Sequence, residues 1–451
     1  MHKNRAFIRT QKPFDFMAMQ RVSAEYSIEN ISLFKTQVLN WAQQYETVVW
    51  LDSNAHDQKY SQYEAILAID ANSALKSDYH NAFEKLKAYQ KETADYIFGC
   101  LGYDLKNDIE SIQSQNNDQL HFPDLYFFQP KKIVFIGKDS VTFKYISLSK
   151  EAIDSDFQEI LNYTNKKTPF VDSNLNIKLR IHKEAYLEKV HTLLDHIHRG
   201  DLYEANFCQE FYSENSTIDP LSVYKKLNAI SSPPFASFLK FEQNYVLSAS
   251  PERYLKKSAT KIISQPIKGT ARRATEKDED LILKEKLEKD PKEQAENIMI
   301  VDLVRNDLSR LSEKGTVTVE ELCKVYSFAQ VHQMISTVSA TVSKDIHPVD
   351  ILKNTFPMGS MTGAPKVAAM QIIETLEETK RGLYSGAVGY MSPTGDFDFN
   401  VVIRSILYNT RNKYISFSVG SAITALSTPE QELEECLLKA KAMREVLLCK
   451  K

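Results

Sequence analysis

One lysine in the second half of the chain has the type and setting expected of a nucleophile. Lys268 lies in the apolar run of residues 266–270, directly before a Gly-Thr pair. Gly269 and Thr270 would expose backbone N–H groups beside the amine, which suits attack next to an anionic substrate. Lysine attacks a carbon centre only when burial or a neighbouring cation lowers its pKa. On spacing alone, an exposed strand lysine is the simpler interpretation.

Two pairs of glutamates form a second feature with chemical potential. Glu293 and Glu296 lie three residues apart in a predicted helix, and Glu432 and Glu435 repeat that spacing later in the chain. Residues three apart project from one face of a helix. Carboxylates from two helices that meet over a cleft would suit Mg²⁺, which takes hard oxygen ligands and keeps several waters. Each pair alone is more typical of a solvated surface, and the sequence does not show that the helices meet.

Length and composition indicate a globular protein and exclude several classes. The 451 residues allow two or three ordinary domains or one large two-layer domain; 43% are hydrophobic, 25% are charged, and the formal net charge is -3. This balance indicates neither a nucleic-acid surface nor a polybasic membrane contact. Five scattered cysteines without a C-x-x-C pair argue against a disulfide framework and a zinc site. We expect a cytoplasmic protein without a signal peptide or transmembrane helix.

The segments that must position these side chains indicate an α+β fold. Residues 235–241 and 245–250 alternate in polarity and predict two strands joined by a short turn, and a second sheet-like block runs over 384–424. Gly200 suits the end of a preceding amphipathic helix. We expect large antiparallel β-sheets in a sandwich-like core with helices packed outside. The long helical segments cover roughly 277–312, 348–354, 365–378 and 428–448.

A polar stretch at about 155–175 is the best candidate for a division of the chain. It separates an N-terminal region, residues 1–165, from a C-terminal region, residues 175–451, that contains all of the candidate chemistry. The boundary is soft because composition alone marks no clear linker, and we expect the two regions to intertwine.

Four long motifs carry a resemblance to a known family. They occur in one order along the chain, at residues 266–270 (PIKGT), 296–307 (ENIMIVDLVRND), 356–366 (FPMGSMTGAPK) and 385–390 (SGAVGY). The motifs resemble those of the chorismate-utilising enzymes, which include anthranilate, aminodeoxychorismate, isochorismate and salicylate synthases. The resemblance covers about 180–445, and the chain looks most like component I of the aminodeoxychorismate-forming members. It implies an anthranilate synthase component I-like fold, with a chorismate-binding catalytic domain after a component I-like N-terminal region.

The resemblance implies roles for two catalytic residues. Lys268 matches a lysine that attacks C2 of chorismate, where anthranilate and isochorismate synthases usually carry alanine. Glu252 matches the general acid that protonates the departing C4 hydroxyl. Because hydroxide is a poor leaving group, this step needs a carboxylic acid that burial keeps partly protonated; without the motif, Glu252 would be a charged residue at a strand end. Since Lys268 must be neutral to attack, we expect desolvation to lower its pKa, with the acidic cluster opposing this unless the metal is bound.

The remaining site residues also follow from the resemblance. Glu296 and Glu435 match direct Mg²⁺ ligands, with Glu293 and Glu432 as ligands through water, so that the metal neutralises the ring carboxylate and orients the ring. For Arg404, the alternative interpretation is an ordinary strand arginine paired with an acid. The implied substrate-binding residues are Lys439, Gly269 and Thr270 at the ring carboxylate, Tyr390 and Arg404 as a clamp on the enolpyruvyl carboxylate, and Gly420 in the glycine-rich turn.

The implied reaction converts chorismate and ammonia to 4-amino-4-deoxychorismate, for p-aminobenzoate and folate synthesis. The sequence contains no Gly-x-Cys-x-Gly elbow of a glutaminase, so we expect ammonia from solution or from a separate glutamine amidotransferase subunit. We expect no nucleic-acid or membrane partner. The alternatives are an anthranilate synthase component I, an isochorismate or salicylate synthase, and a catalytically silent chorismate-binding partner protein.

Several residues depart from the family pattern. Gln333 occupies the position of a histidine tied to pyruvate elimination in anthranilate synthases, and this favours release of the amino intermediate. Glu204 replaces the water-activating lysine of isochorismate-type enzymes, which argues against the water reaction but leaves an unexplained carboxylate. Ser421 and Ala422 add side chains in the glycine-rich turn, so substrate contacts there are open. We assign Arg272 no substrate role.

Overall fold

The computed structural model describes residues 21–56, 59–164, 175–328 and 331–448. The first residues of the chain and the middle of the expected boundary, residues 165–174, lie outside the described residues. None of the helices in the described part has the length and hydropathy that a membrane span requires.

The described residues form 20 strands. In chain order these are β1 (Arg21–Ser27), β2 (Val48–Asp52), β3 (Ala65–Ser77), β4 (Ile97–Leu101), β5 (Leu125–Ile136), β6 (Ser140–Ile146), β7 (Lys178–Leu179), β8 (Glu204–Ser213), β9 (Phe235–Phe241), β10 (Asn244–Ser250), β11 (Arg253–Ser258), β12 (Lys261–Gln265), β13 (Ile267–Arg272), β14 (Thr318–Ser327), β15 (Val331–Thr341), β16 (Gly363–Ala364), β17 (Ala387–Met391), β18 (Phe397–Val401), β19 (Ser405–Asn409) and β20 (Tyr414–Thr424).

Eleven α-helices accompany these strands within the described ranges. They are α1 (Ile31–Trp41), α2 (Ala82–Thr93), α3 (Lys106–Ile109), α4 (Lys150–Leu161), α5 (Lys183–Arg199), α6 (Pro220–Ser231), α7 (Lys277–Glu288), α8 (Pro291–Ser309), α9 (Pro348–Thr355), α10 (Lys366–Leu376) and α11 (Pro429–Leu448).

The strands follow two connected antiparallel sheets. The first runs β1, β6, β5, β3, β2, β9, β10, β19, β20 and β8, with β7 and β16 on the far edge of β8. The second leaves the first half of β5 and runs β4, β17, β18, β11, β12 and β15. β13 pairs with β15 along the same edge as β12, and β14 pairs with the other edge of β15. This confirms the α+β class and the antiparallel sheets.

Alternation along the strands divides the core into layers. On β2, Val48 and Trp50 face a cluster that includes helices α1, α5, α6 and α11, whereas Val49 faces the space between the two sheets. On β17, Ala387 and Met391 face a cluster that contains residues of α8 and α9. Apolar residues thus lie on both faces of each sheet, as expected for a sandwich with helices outside.

Strands from the two ends of the chain pair with one another. β2 pairs with β9, and β4 pairs with β17, so the sheets contain residues from both sides of the expected boundary. The division into two regions stays a prediction.

The helix predicted over 277–312 is wrong in one respect, because the structure breaks it into α7 and α8. Asp290 accepts hydrogen bonds from the backbone nitrogens of Lys292 and Glu293, and Pro291 occupies the first turn. An N-cap followed by proline starts a new helix, since proline has no N–H to donate to the preceding turn. The new helix starts just before Glu293, so the break sets the direction of the first acidic pair.

Candidate active site

Lys268 lies on a β-bulge and not on a regular strand. Ile267 pairs with Ile335 and Thr270 pairs with Gln333, so two residues of β13 face one residue of β15. Gly269 has a φ of 92°, a conformation that glycine adopts without strain. Bulges re-aim side chains and are frequent beside active sites. The Gly-Thr pair noted in the sequence therefore serves to turn Lys268 out of the ladder.

Asn297 on α8 holds this bulge in place. Its Nδ2 donates to the backbone oxygens of Lys268 at 3.4 Å and of Met334 at 3.3 Å. Its Oδ1 accepts a hydrogen bond from Ser336, and the side chain is buried. Asn297 belongs to the motif of residues 296–307, but its role could not be predicted from the sequence, because a contact across 29 residues has no local pattern.

The amine of Lys268 makes an ion pair with Glu204. The Lys268 Nζ donates to Glu204 Oε1 at 2.8 Å, and the Glu204 side chain is 1% exposed. The backbone of Glu204 is fixed between two strands, opposite Ala364 on β16 and Thr424 on β20. The carboxylate that had no explanation in the sequence is thus the direct partner of the proposed nucleophile.

The expected lowering of the Lys268 pKa is wrong for the protein described here. Burial lowers this pKa and is the largest single influence, but the carboxylates of Glu204, Glu296 and Glu435 together raise it above the ordinary lysine value. The expected opposition from the acidic cluster therefore outweighs desolvation. The physical reason is the number of carboxylates that face one ammonium group.

Glu252 follows β10 and is almost fully buried, 3% exposed. Burial raises its pKa to about 7, while the hydrogen bond from Ser360 and the charge of Lys268 act in the opposite direction. The Ser360 Oγ donates to Glu252 Oε1 at 2.7 Å. A carboxyl group with this pKa is partly protonated near neutral pH, which suits a general acid. Ser360 lies in the quoted motif 356–366, but its contact with Glu252 could not be read from spacing.

The two acidic helices meet, as the sequence alone could not show. Glu293 on α8 and Glu435 on α11 repel each other, and burial together with this repulsion raises the pKa of Glu293. Burial raises the pKa of Glu296 to about 7, with Lys268 opposing and Glu293 adding to the rise. The pKa of Glu435 is lowered, because its ion pair with Lys439 at 2.5 Å outweighs burial.

Glu432 points elsewhere. It is buried, and its charge helps to raise the pKa of Tyr186, whose hydroxyl contacts Ser421 and Cys436. The structure thus brings Glu293, Glu296 and Glu435 to one place, whereas the expected position of Glu432 as a fourth ligand has no such support.

The chemistry of this acidic cluster fits a divalent cation. Within the described ranges, no three acidic, histidine or cysteine side chains lie close enough to form a ready-made metal site. The Oε1 of Glu296 is nevertheless buried without a hydrogen-bond partner in the described part of the chain, and the carboxylates repel one another. A cation with a preference for oxygen ligands would satisfy this atom and relieve the repulsion. Binding of Mg²⁺ stays a prediction.

Arg404 has the properties of an anion-binding residue. Its φ is 52°, in the left-handed region that non-glycine residues rarely adopt. Burial lowers its pKa, while Tyr384 and Glu435 act in the opposite direction. Backbone strain of this kind is common where a side chain must be held for function. An arginine held between a phenol and the acidic cluster suits a carboxylate ligand.

Tyr390 has a setting of its own, and its expected role in a clamp with Arg404 stays a prediction. Tyr390 stacks on Phe98 with ring centroids 5.4 Å apart and lines a cavity of about 70 Å³ that also contains Arg253 and Asp398. The period of two along β17 turns Tyr390 into the space between the sheets. Tyr384, which precedes the strand, is the tyrosine whose phenol lies beside Arg404.

Lys439 and Gly420 lie together. The Lys439 Nζ donates to the backbone oxygen of Gly420 at 2.8 Å as well as to Glu435. A Cβ at Gly420 would come within 2.8 Å of Cys208 Sγ, so a larger residue does not fit there. Thr270 is exposed, and the contacts of Gly269 and Thr270 with substrate stay predictions.

Ser421, which left the glycine-rich turn in doubt, faces away from the acidic cluster. It is fully buried, and its Oγ lies 3.4 Å from the hydroxyl of Tyr186 and 3.9 Å from Cys436 Sγ. Alternation along β20 places Ala422 on the same face as Gly420. Of the two added side chains, that of Ala422 therefore lies on the same face of β20 as Gly420, and that of Ser421 lies on the opposite face.

Two other departures have plain structural settings. Gln333 is buried on β15, and the adjacent His332 points to the opposite face, where its ring contacts Asp280 at 3.1 Å and Ser327 at 2.9 Å. His332 therefore cannot take the place of the histidine that anthranilate synthases carry at the position of Gln333. Arg272 makes an exposed ion pair with Glu279 at 2.6 Å, consistent with no substrate role.

Comparison with known proteins places this geometry in context. The sequence model of the chorismate binding enzyme family matches residues 46–445. The chloroplastic aminodeoxychorismate synthase of Arabidopsis thaliana is 37% identical, with 76% of this chain and 39% of that protein covered. Aminodeoxychorismate synthase component 1 of Klebsiella aerogenes is 34% identical, with 75% and 74% covered. The chain spans less than half the length of the Arabidopsis relative and of similar synthases from Oryza sativa and Streptomyces griseus.

Anthranilate synthases and solved structures are also similar. Anthranilate synthase component 1 of Thermus thermophilus is 29% identical, with 83% of this chain and 82% of that protein covered. The crystal structure of anthranilate synthase component I from Streptococcus pneumoniae superposes with a TM-score of 0.74 at 26% identity, covering 86% of this chain and 93% of that one. The menaquinone-specific isochorismate synthase of Escherichia coli has a TM-score of 0.75 at 18% identity, covering 95% and 94%, and shows the shared fold. With its family match over most of its length, the chain belongs to the chorismate-binding enzymes.

Proposed function

We propose that the protein is an aminodeoxychorismate synthase of the component I type, which converts chorismate and ammonia to 4-amino-4-deoxychorismate for p-aminobenzoate and folate synthesis. The observation that carries this proposal is the partly buried Lys268 on its bulge, in electrostatic contact with Glu252 and paired with Glu204. The relatives named aminodeoxychorismate synthase support the same choice at 34% to 37% identity.

In the first step, the neutral amine of Lys268 attacks C2 of chorismate. The ring double bond shifts, and the C4 hydroxyl leaves as water with a proton from Glu252. Burial of Glu252 serves this step because it keeps a proton on the carboxyl group near neutral pH. Ser360 orients the acid through its hydrogen bond to Oε1.

In the second step, ammonia attacks C4 and the bond between C2 and the lysine nitrogen breaks. Glu252, now ionised, takes a proton from the incoming nitrogen and is ready for another cycle. The amine of Lys268 is released unchanged. The net reaction replaces the C4 hydroxyl by an amino group and releases water.

Two carboxylates of chorismate fix its orientation. Arg404 and Tyr384 would hold the enolpyruvyl carboxylate, because a guanidinium group offers a planar pair of donors. Lys439 and the backbone of Gly269 lie on the side of the acidic cluster and would face the ring carboxylate. This assignment replaces Tyr390 by Tyr384 in the clamp.

Mg²⁺ completes the proposal as a cofactor. Glu296 and Glu435 would hold it directly, with Glu293 and Glu432 at most through water. When bound, the ion supplies positive charge that neutralises the ring carboxylate. The same carboxylates would then act less strongly on Lys268, which favours its neutral form.

A separate glutamine amidotransferase subunit would supply ammonia, since component 1 in the names of two relatives indicates a second component. We expect both subunits in the cytoplasm. Co-elution with a glutaminase that confers glutamine-dependent activity would support this partner. Activity with ammonium but not with glutamine, measured in the presence of that glutaminase, would argue against it.

Anthranilate synthase component I is the second candidate, because relatives with that name match almost as well. Lys268 and Gln333 argue against it: the first residue is usually alanine in those enzymes, and the second cannot act as a histidine. A catalytically silent chorismate-binding protein is a further candidate from a different class.

One assay separates the three candidates. The protein is incubated with chorismate, ammonium and Mg²⁺, with and without aminodeoxychorismate lyase. We expect p-aminobenzoate only when the lyase is present. Fluorescent anthranilate without lyase would identify an anthranilate synthase, and no turnover at all would favour the silent protein.

A further inference from the structure

The ion pair between Lys268 and Glu204 raises a question about how the nucleophile becomes neutral. As an ammonium ion, Lys268 has no lone pair with which to attack carbon. Its closest partner is the Oε1 of Glu204, at 2.8 Å, so this oxygen is the nearest described acceptor for its proton. A role for Glu204 in this proton transfer rests on the proposed function, in which Lys268 is the nucleophile.

Glu204 is fully buried, in surroundings that favour proton transfer from Lys268. None of its surface is exposed, and its second oxygen, Oε2, is buried without a hydrogen-bond partner among the described residues. An ionised carboxylate with an unsatisfied oxygen is costly in a site that excludes water. Proton transfer from Lys268 converts the charged pair into a neutral acid and a neutral amine, which removes that cost.

The position of Glu204 is rigid. Its backbone pairs on one side with β16 and on the other with β20. A Cβ at Gly363 would lie only 2.1 Å from the backbone oxygen of Glu204, so the two segments are in close contact. The backbone of Glu204 is therefore held in place, and proton transfer over the observed hydrogen bond needs no movement of it.

The other acids around Lys268 have other partners or tasks. Glu252 accepts a hydrogen bond from Ser360 and is needed as the acid at C4. Glu435 makes an ion pair with Lys439. Glu296 influences Lys268 through its charge, whereas Glu204 accepts a hydrogen bond from the Lys268 amine.

We propose that Glu204 is a further catalytic residue, which takes the ammonium proton of Lys268 before the attack on C2 and returns it after the amine is released. In the first half, a proton moves from Nζ to Oε1, and the freed lone pair forms the bond to C2 while Glu252 gives a different proton to the leaving hydroxyl. In the second half, ammonia forms the bond to C4, the lysine nitrogen leaves as a neutral amine, and Glu204 protonates it. Both residues end in their starting states.

The first test replaces the carboxylate by an amide of the same shape. Glu204→Gln is expected to lower kcat with ammonia about 100-fold, the usual contribution of a general base, with a much smaller change in KM. Glu214→Gln is the matched control, because Glu214 lies just beyond the other end of β8 and makes only an exposed pair with Lys178. The control is expected to keep wild-type kcat.

A second measurement keeps the proposal testable if the amide variant folds poorly. Glu204→Ala leaves space for a small carboxylate, so added formate is expected to restore at least a tenth of the wild-type turnover, while the same salt does nothing for Glu252→Gln. A residue with a purely structural role would show no such rescue. Thermal unfolding of each variant shows which of them are folded.

Combining Glu204→Gln with Lys268→Ala tests whether Glu204 acts through Lys268, separately from the proposed function. If Glu204 acts on Lys268, adding Glu204→Gln to that variant causes no further loss. Wild-type kcat in Glu204→Gln, absence of formate rescue in a folded Glu204→Ala, or an equal further loss in the Lys268→Ala background would each overturn the role of Glu204. Absence of aminodeoxychorismate from the wild-type reaction would overturn the proposed function and, with it, this inference.

Discussion

Two partly buried lysines of this molecule lie in family motifs, and their pKa values shift in opposite directions. Lys268 faces several carboxylates, and its pKa is raised although burial acts against this. Lys366 makes one ion pair, to Asp307 at 2.5 Å, and burial lowers its pKa. One acid does not compensate for desolvation, whereas a cluster does. The excess of carboxylates around Lys268 is a setting in which the proposed cation would be favourable.

The partners of the two lysines also differ in kind. Lys366 joins the last turn of α8 to the first residue of α10 and also contacts the backbone oxygen of Thr355. Lys268 lies on a bulge, and its partner Glu204 retains a buried oxygen without a hydrogen bond in the described part of the chain. The first pair fits a structural role, and the second has the geometry that the proposed proton transfer needs.

Removal of the Lys268 amine should produce the largest effect on turnover. Lys268→Met keeps the length of the side chain and removes the nucleophile, so ammonia-dependent formation of aminodeoxychorismate should fall roughly a thousandfold or more. The measurement is a coupled assay with lyase at saturating chorismate. Activity within tenfold of the wild type would break the contrast between the two lysines.

Replacement of the buried acid Glu252 should lower turnover less than removal of the Lys268 amine. Glu252→Gln cannot donate a proton to the leaving hydroxyl, so kcat should fall by about 100-fold or more. In the wild type, turnover should decline as the pH rises through about 7, because Glu252 loses its proton there. A pH profile that stays flat from pH 6 to 8.5 would contradict this assignment.

The same pKa predicts a change in stability. Since the folded pKa of about 7 exceeds the unfolded value, the folded state holds a proton that the unfolded state has lost between these values. Glu252 therefore contributes stability that is complete below the unfolded pKa and is lost as the pH rises through about 7. Between pH 5.5 and 8 the wild type should lose roughly 2 kcal/mol more than Glu252→Gln, measured by urea unfolding. Equal losses would show that the carboxyl titrates normally.

The structural lysine should affect stability more than chemistry. Lys366→Met leaves the buried Asp307 without its ion-pair partner, and breaking such a pair costs about 3–5 kcal/mol of unfolding free energy. Urea unfolding measures this loss. Turnover per folded molecule should fall far less than in Lys268→Met, and the reverse order would invert the comparison.

The smallest expected effect concerns the tyrosine beside Arg404. Tyr384→Phe removes one hydroxyl near the proposed clamp, so KM for chorismate should rise about fivefold, equivalent to roughly 1 kcal/mol. Tyr390→Phe is the control, since Tyr390 lines a different cavity, and it should leave KM unchanged. A larger rise in KM for Tyr390→Phe would restore the clamp expected from the motif.

The sequence predicted the parts of the molecule that local patterns encode. Polarity alternation identified strands such as β9 and β10, and motif order suggested the catalytic roles of Lys268 and Glu252, which stay predictions. The spacing of Glu293 and Glu296 placed both on one helix face, although the break at Pro291 was missed because helical composition continues on both sides of it.

Contacts between distant segments could not be predicted in this way. Glu204 and Lys268 are 64 residues apart. Their positions depend on long-range strand pairing, of β8 with β16 and β20 for Glu204 and of β13 with β15 for Lys268. Tyr390 was chosen because it ends a motif, whereas the proximity of Tyr384 to Arg404 follows from the fold and not from spacing. The sign of the Lys268 pKa shift depended on how many carboxylates the fold gathers, which no spacing states.

Trapping of the covalent intermediate tests the central claim most directly. The protein is incubated with chorismate and Mg²⁺ without ammonia, quenched and digested, and the peptide that contains Lys268 is analysed by mass spectrometry. We predict that Lys268 gains the mass of one dehydrated chorismate, and that later addition of ammonium to the unquenched enzyme removes it as aminodeoxychorismate forms. An unmodified Lys268 in an enzyme that makes aminodeoxychorismate at full rate would contradict the covalent role of this lysine.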